Sequence, residues 1–217
     1  VLPCKTLSDA FDSVEKGAAD YAVVPIENSL EGSVNQTYDL FINSSLMVCG
    51  ELNLRIIHCL IALPGTRLSD IRTVYSHPQA LAQCREFLEG LNCEAISTYD
   101  TAGSVKMLSE KKLADAAAVA SERAAKIYGL KVIERGIEDN PNNYTRFFVL
   151  SRSDAAPSKN DKTSIVFSLK HVPGSLYRAL EEFAVRNINL TKIESRPTRQ
   201  KPWEYNFYVD FEGHRKE

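Results

Sequence analysis

The sequence predicts an α/β protein in which strands and helices alternate along most of the chain, followed by a smaller second domain. Three observations support this prediction. Short, apolar, β-branched segments such as "YAVVPIENS" and "AAAVAS" are each followed by polar residues or by a segment with helical spacing. Repeated strand-then-helix units are typical of a parallel sheet covered by helices. A polar segment without periodicity, Ser151–Lys162, then separates these units from further predicted strands.

The predicted elements of the first part begin with a helix after Lys5, which Gly17 ends. The run "YAVVPIENS" is predicted to be a buried parallel strand. The long β-rich segment "LMVCGELNLRIIHCLIALPG" is predicted to contain strands that cross between two lobes. The later units pair "TVYSH" with a helix from Pro78 to about Leu88, "CEAIST" with a helix from about Thr101 to Leu108, and "AAAVAS" with a helix from Glu122 to Tyr128.

The second part has a β-α-β-β order. Its predicted elements are a strand at Thr163–Leu169, a helix opened by Pro173 and Gly174 that runs to about Arg186, and strands at Asn189–Glu194 and Glu204–Phe211. This order matches the first four elements of a ferredoxin-like βαββαβ domain. The final helix and strand are expected beyond Glu217, so this domain is expected to be truncated in the sequence.

Composition excludes several classes of function. The chain has 217 residues, with 26 lysines and arginines against 28 acidic residues, and no basic stripe indicates a nucleic-acid surface. The apolar runs are shorter than the ~18 residues of a membrane span. Five cysteines without a C-x-x-C pair are typical of a reduced intracellular or organelle protein. Four scattered histidines predict no metal site.

Polar residues at the strand ends are the candidate site, because ligands of open α/β sheets bind beyond the carboxyl ends of the strands. Glu27 and Asn28 follow the first strand, Ser76 ends "TVYS", and Gln83 lies in the helix after it. The segments "DTAGS" and "VASERA" begin helices whose N-termini suit carboxylate groups, although capping is the more expected role of their hydroxyls.

The segment "NNYTRFFVL" places Thr145 and Arg146 directly before an apolar run. These residues alone are also compatible with a buried strand and a solvated arginine. No nucleophile is paired with a base, and no glycine-rich phosphate loop is present. What remains is a cofactor-free cleft that suits binding an anion and assisting a leaving group.

Five motifs in register resemble the catalytic domain of prephenate dehydratases and plant-type arogenate dehydratases: "VVPIENSLEGSVNQTYDLF", "SHPQALAQC", "DTAGS", "AAAVASERAAKIYGL" and "NNYTRFFVL". The segment "HVPGSLYRALEEFAVRNINLTKIESRP" resembles the ACT domain that regulates these enzymes. The resemblance implies a two-lobed catalytic domain similar to periplasmic binding proteins at residues 1–151, a linker at 152–162 and an ACT domain at 163–217. The family usually opens with a strand and a G-P-x-G-T-type turn, and this sequence starts after that point.

The implied reaction is loss of carbon dioxide and hydroxide from prephenate, which gives phenylpyruvate without a cofactor or metal. Arogenate, which would give phenylalanine directly, is the alternative substrate, and a non-catalytic amino-acid sensor is the alternative class. The resemblance implies that Thr145 assists the departing hydroxyl and that Arg146 holds a substrate carboxylate or fixes the loop. Its other implied catalytic residues are Glu27, Asn28, Ser76 and Gln83. Ser29, Thr101, Ser121 and Phe147 are the candidate substrate-binding residues.

The implied effector is phenylalanine, bound where ACT domains of neighbouring subunits meet. The matching residues are Pro173, Gly174, Ser175 and Leu176 in "PGSL" and Glu194, Ser195, Arg196 and Pro197 in "ESRP". The resemblance further implies a homo-oligomer, a dimer or tetramer formed through both domains. It also implies a location in the cytoplasm, or in the chloroplast stroma for a plant protein.

Overall fold

The computed structural model describes residues 1–198 and 201–216, and the chain divides into two compact units. The first unit comprises Val1–Val24, Asn35–Glu51 and Phe148–Glu217, and the second comprises Pro25–Val34 and Leu52–Phe147. The chain therefore passes between the units four times. The first unit thus combines the predicted linker and the C-terminal segment with two segments from the first half of the chain.

The described residues form seven α-helices and twelve strands. In chain order they are α1 Leu7–Glu15, β1 Tyr21–Asn28, β2 Gly32–Ser33, α2 Asn35–Phe41, β3 Met47–Arg55, β4 Cys59–Ala62, β5 Thr73–Ser76, α3 Pro78–Ala82, α4 Arg85–Leu91, β6 Glu94–Ser97, α5 Thr101–Lys111, β7 Ala116–Ala120, α6 Glu122–Tyr128, β8 Lys131–Arg135, β9 Tyr144–Ser151, β10 Lys162–Ser168, α7 Ser175–Ala184, β11 Leu190–Pro197 and β12 Tyr205–Glu212. No described helix has the length and apolar character that a membrane crossing requires.

The second unit contains a five-stranded sheet with the order β6-β5-β7-β4-β8. β5 is parallel to both β6 and β7, as the strand–helix alternation predicts. β4 runs antiparallel to β7 and β8, so a uniformly parallel sheet is the wrong prediction. β4 enters this sheet from β3, a strand of the other sheet, so no strand–helix–strand crossover within the sheet sets its direction. Every residue of β4 and β7 is buried, which makes these strands the centre of the core.

The helix predicted from Pro78 to about Leu88 is instead two helices, α3 and α4, separated at Gln83 and Cys84. No glycine or proline marks this break in the sequence. The cause is tertiary: the Asp139 carboxylate accepts hydrogen bonds from the backbone N–H groups of Arg85 (3.0 Å) and Glu86 (3.1 Å). Asp139 N–H in turn donates to the Gln83 carbonyl (2.8 Å). Asp139 thus caps α4 from a distant part of the chain.

Asp139→Ala is expected to lower the free energy of unfolding by about 1 kcal/mol, the usual effect of removing a helix cap. The backbone N–H groups of Arg85 and Glu86 would lose their acceptor. Urea titration followed by circular dichroism measures this change. Asp139→Asn, which keeps one acceptor oxygen, should lose less, and an Asp139→Ala midpoint equal to that of the unsubstituted protein would contradict the capping role.

β1 is correctly predicted as a strand, but the prediction that it is buried and parallel is wrong. Its burial alternates, and Tyr21 and Val23 are 64% and 55% exposed. The strand pairs antiparallel with β2 through Glu27 and Asn28. Its sheet has the order β2-β1-β9-β3. One face of β1 is therefore solvated, as is common for strands of antiparallel sheets.

The C-terminal part of the first unit is an antiparallel sheet with the order β10-β12-β11, and α7 lies between β10 and β11 in sequence. This confirms the predicted β-α-β-β order. The same unit holds α2, whose Tyr38 packs edge-on against Tyr208 of β12 at 4.8 Å between ring centroids. The Tyr208 hydroxyl also donates to the Tyr38 carbonyl (3.0 Å). Burial raises the pKa of Tyr208 to about 12, which keeps this donor protonated.

Candidate active site

Asn28, at the end of β1, is the centre of the candidate site. Its Oδ1 accepts from the backbone N–H groups of Leu30 (2.9 Å) and Glu31 (3.1 Å), which closes the turn after the strand. Its Nδ2 donates to Asn143 Oδ1 (2.8 Å) and to Thr145 Oγ1 (3.0 Å). Two predicted residues from opposite ends of the second unit's sequence are thereby joined directly.

Ser29 fixes the backbone that carries Thr145. Its hydroxyl donates to the Asn142 carbonyl (2.7 Å) and accepts from Tyr144 N–H (2.9 Å). Its own N–H donates to the Tyr144 carbonyl (2.8 Å). These bonds hold the start of β9 against the end of β1, so Thr145 has a defined position on a rigid element.

Gln83 lies at the break between α3 and α4, and its side chain contacts the hydrogen-bonded residues around Asn28. Gln83 Oε1 accepts from Asn143 Nδ2 (2.9 Å) and lies 2.9 Å from His58 Nε2. Its Nε2 is 3.4 Å from Glu31 Oε1. The predicted residues Asn28, Gln83 and Thr145 therefore belong to one hydrogen-bonded group.

Arg146 and Glu27 form an ion pair beside this group. The distance between Arg146 Nη1 and Glu27 Oε2 is 3.7 Å, and the Arg146 side chain is only 13% exposed. Arg146 is thus a mostly buried guanidinium rather than a solvated one. An incoming carboxylate could compete with Glu27 for this cation.

The remaining predicted site residues of the second unit lie outside this hydrogen-bonded group. Ser76 is fully buried, and its hydroxyl donates to the Val119 carbonyl of the neighbouring strand (2.6 Å). Ser121 caps α6 by accepting from Ala124 N–H (3.3 Å). Thr101 is the first residue of α5, which Asp100 caps. Phe147 is half-buried in β9 beside Arg146.

In the first unit, "PGSL" opens α7 with Gly174 at φ +79°, a left-handed conformation that favours glycine. A cavity of 340 Å³ lies beside this turn. Its lining includes Pro173, Ser175 and Leu176 from the predicted effector motif, together with Leu169, Lys170, His171, Val172, Glu204, Tyr205 and Phe207. The predicted motif thus borders a space large enough for a small ligand.

The other half of the predicted effector motif lies on β11, where Ser195 and Pro197 are exposed and Glu194 and Arg196 are half-buried. Arg196 does not extend into solvent. Its Nη2 lies 3.2 Å from Asp39 Oδ1 of α2, its Nε lies 3.3 Å from the same oxygen, and Nη1 donates to Asn35. The "ESRP" arginine therefore joins the C-terminal sheet to α2.

A family description of prephenate dehydratase matches residues 1–155, and one of the ACT domain matches residues 163–217. The chain belongs to the prephenate dehydratase family. It is 49% identical over 223 residues to arogenate dehydratase/prephenate dehydratase 2, chloroplastic, of Arabidopsis thaliana, with 98% of this chain and 58% of that protein covered. The chain spans somewhat more than half the length of the curated relatives it matches.

Solved structures support membership of the prephenate dehydratase family. The chain resembles a prephenate dehydratase in complex with L-Phe from Arthrobacter aurescens, with 38% identity, a TM-score of 0.87, and coverage of 98% of this chain and 72% of that chain. It also resembles a protein described as the quorum-quenching acylase GqqA, with 35% identity, a TM-score of 0.88, and coverage of 98% and 78%. The predicted α/β class with a C-terminal ACT domain is confirmed.

Two residues that lie 2.9 Å from Gln83 Oε1, His58 and Asn143, were not predicted from the sequence. His58 is buried within the apolar run "IIHCLIAL", and nothing in that run distinguishes it from a core residue. Asn143 stands inside "NNYTRFFVL" and is also buried, which is unusual for an asparagine and requires hydrogen-bond partners. Only the spatial neighbours of these two side chains reveal their connection to Thr145.

The cysteines of this member of the prephenate dehydratase family offer no nucleophile at the site. All five are free. Burial raises the pKa of the Cys84 thiol to about 12, and the nearby carboxylates of Asp139 and Glu138 act in the same direction. A thiol with this pKa is protonated at neutral pH and is a poor nucleophile.

Proposed function

We propose that the protein catalyses the decarboxylating dehydration of prephenate to phenylpyruvate and is inhibited or otherwise regulated by phenylalanine. The observation that carries this proposal is the bond from Asn28 Nδ2 to Thr145 Oγ1. Because Thr145 Oγ1 accepts this bond, the hydroxyl hydrogen of Thr145 is directed to a different partner. That partner is the hydroxyl group that leaves the substrate ring.

The reaction needs little more than orientation and one proton. The bond between the ring carbon and its carboxylate breaks and releases carbon dioxide, and its electron pair enters the ring. The bond between the opposite ring carbon and its hydroxyl breaks, and the departing hydroxide takes a proton to become water. Aromatisation supplies much of the driving force. A positioned hydroxyl donor can assist this departure even though threonine is a weak acid.

Arg146 and Glu27 are proposed to bind the substrate. The mostly buried guanidinium can pair with a substrate carboxylate, because an ion pair strengthens where water is excluded. Glu27 orients Arg146 in the unliganded protein, and its negative charge offsets the positive charge of the guanidinium. Fixing the loop at the start of β9 is the alternative role of Arg146.

Ser76, Gln83 and the four substrate-binding candidates complete the proposal. Ser76 is proposed to support the site indirectly. Its hydroxyl donates to the Val119 carbonyl and holds the end of β5 against β7. Gln83 is proposed to hold Asn143 and thereby Asn28. We propose that Ser29, Thr101, Ser121 and Phe147 border the bound substrate, with Ser29 and Ser121 acting mainly through the backbone that they fix.

Regulation is proposed to occur through the cavity beside Gly174. Backbone N–H groups at the start of α7 suit the carboxylate of phenylalanine, and the apolar lining suits its ring. The likeness to a prephenate dehydratase in complex with L-Phe supports this assignment. Binding where two ACT domains of a homo-oligomer meet, and a location in the cytoplasm or in the chloroplast stroma, are parts of the same proposal.

Arogenate is the second candidate substrate, and the name of the Arabidopsis relative, which includes both activities, favours keeping it. Arogenate carries an amino group where prephenate carries a keto group, and the product would be phenylalanine. A sensor without turnover is the remaining alternative.

The deciding experiment is a paired assay of the purified full protein with prephenate and with arogenate, each with and without phenylalanine. We expect turnover of at least one substrate and a response to phenylalanine. Gly174→Ala should keep turnover and lose the response, because an alanine is strained at the φ of +79° that shapes the turn before α7. Phenylalanine binding without turnover of either substrate would contradict the enzyme and favour the sensor.

A further inference from the structure

The hydrogen bonds around Asn28 have a direction that the backbone determines. Backbone N–H groups can only donate, and those of Leu30 and Glu31 point at one end of the Asn28 amide. That end is therefore Oδ1, and the NH₂ end faces Asn143 and Thr145. The amide orientation of Asn28 follows from the backbone alone.

This direction passes along the next two side chains. Asn143 receives the Asn28 bond on its Oδ1, so its NH₂ end faces Gln83. Gln83 must then present Oε1 to Asn143. A carbonyl oxygen can only accept, so the neighbouring His58 Nε2, 2.9 Å away, must carry a hydrogen and donate it to the same oxygen.

His58 has a buried side chain and a backbone that is fixed by hydrogen bonds. Only 6% of the residue is exposed. Its N–H donates to Glu138 Oε2 (2.9 Å), and its carbonyl accepts from the N–H groups of Gly136 (2.9 Å) and Ile137 (3.2 Å). The backbone of His58 is thus held to the segment that follows β8, and the imidazole contacts Gln83.

We propose that His58 is a positioning residue for the dehydration, which holds the Gln83 and Asn143 amides in the orientation that supports the bond from Asn28 to Thr145. This proposal rests on the proposed function of Thr145. His58 contacts Gln83, and Gln83 contacts Asn143, so the effect of His58 passes through the amides. His58 and Asn143 do not contact the substrate in this proposal; they hold the side chains of Gln83 and Asn28, which contact the next residues toward Thr145.

The physical reason is that side-chain amides rotate easily between two nearly equal states. With His58 present, a rotated Gln83 amide would carry two penalties: its NH₂ group would point at the NH₂ group of Asn143, and the imidazole would have to move its hydrogen from Nε2 to Nδ1 in order to accept. Without His58, one of these two penalties disappears, and rotated Gln83 and Asn143 amides become populated. A rotated Asn143 turns its NH₂ group toward that of Asn28. The two donors repel, the bond from Asn28 to Thr145 is disturbed, and the threonine hydroxyl loses its fixed direction.

The first test compares His58→Leu with His58→Gln. Leucine removes the donor, and we expect kcat to fall about tenfold, the equivalent of one hydrogen bond, with a smaller change in KM. Glutamine places an N–H at about the position of imidazole Nε2 and should restore most of the lost kcat. A His58→Gln variant that folds as well as the unsubstituted protein but is as slow as His58→Leu would overturn the proposal.

A double-mutant cycle separates this inference from the proposed function. We expect His58→Leu to lower kcat in the unsubstituted protein but to have almost no further effect when Thr145→Ala is also present. His58→Leu could instead lower kcat by the same factor with and without Thr145→Ala, while Thr145→Ala alone is impaired. That result would overturn the role of His58 and leave the proposed function of Thr145 intact. Full activity of Thr145→Ala would overturn the function of Thr145 and the inference together.

A spectroscopic test does not depend on turnover. Nitrogen-15 NMR of the histidine side chains distinguishes a ring nitrogen that carries hydrogen from one that does not. We expect His58 Nε2 to carry hydrogen in the unliganded protein. A neutral ring with hydrogen on Nδ1 alone would overturn the inferred direction of the chain, whatever the kinetics.

Discussion

Thr145→Ala is expected to reduce kcat by roughly 10²–10⁴-fold, the usual contribution of a positioned proton donor. The substitution removes the hydroxyl that accepts from Asn28 and, in the proposed mechanism, donates to the departing group. KM should change less, because the proposed substrate-binding pair of Arg146 and Glu27 is unchanged. Steady-state kinetics with prephenate and with arogenate measure both constants.

Thr145→Ser is the matched control for this prediction. Serine keeps the hydroxyl and loses one methyl group, and Thr145 is only half-buried in β9. We expect the serine variant to retain most of the activity. Thr145→Ala with undiminished kcat would remove Thr145 from the mechanism and leave it as a strand residue.

Asn28→Asp is expected to reduce kcat by about 100-fold or more, although the two side chains have nearly the same shape. One carboxylate oxygen can still accept from Leu30 and Glu31, so the turn should form. The other oxygen would replace the NH₂ group that donates to Thr145 and Asn143. The Thr145 hydroxyl would then donate to the introduced carboxylate and be lost to the substrate.

Asn142→Asp is the control for charge. Asn142 is exposed in the same loop and contributes its backbone to the site rather than its side chain. The variant introduces the same negative charge near Thr145 but leaves the donor of Asn28 in place. We expect its kcat to stay close to that of the unsubstituted protein. Equal losses in the two variants would mean that charge, and not the direction of the hydrogen bonds, is responsible.

Local patterns in the sequence predicted the strand–helix alternation, the β-α-β-β order and the capped starts of α5 and α6. Each depends on residues within a few positions of one another. The sequence also pointed to Asn28, Gln83 and Thr145, which the structure joins through Asn143. The quoted motifs, and not periodicity, carried that identification.

What could not be predicted depends on contacts distant in sequence. The break at Gln83 arises because Asp139, more than fifty residues later, caps α4. A continuous helix would not by itself direct the Gln83 side chain toward the site. The reversed direction of β4 and the role of His58 depend in the same way on which strands become neighbours.

The bonds between the C-terminal sheet and α2 bear on how the proposed regulation by phenylalanine could be removed. Deleting everything after Ser151 would remove Arg196 from Asp39 and Tyr208 from Tyr38, and would uncover an aromatic surface that is otherwise buried. A shortened protein would therefore tend to aggregate. Attempts to remove the proposed response to phenylalanine should therefore change single residues around the cavity beside Gly174 and keep the whole C-terminal sheet as a structural support.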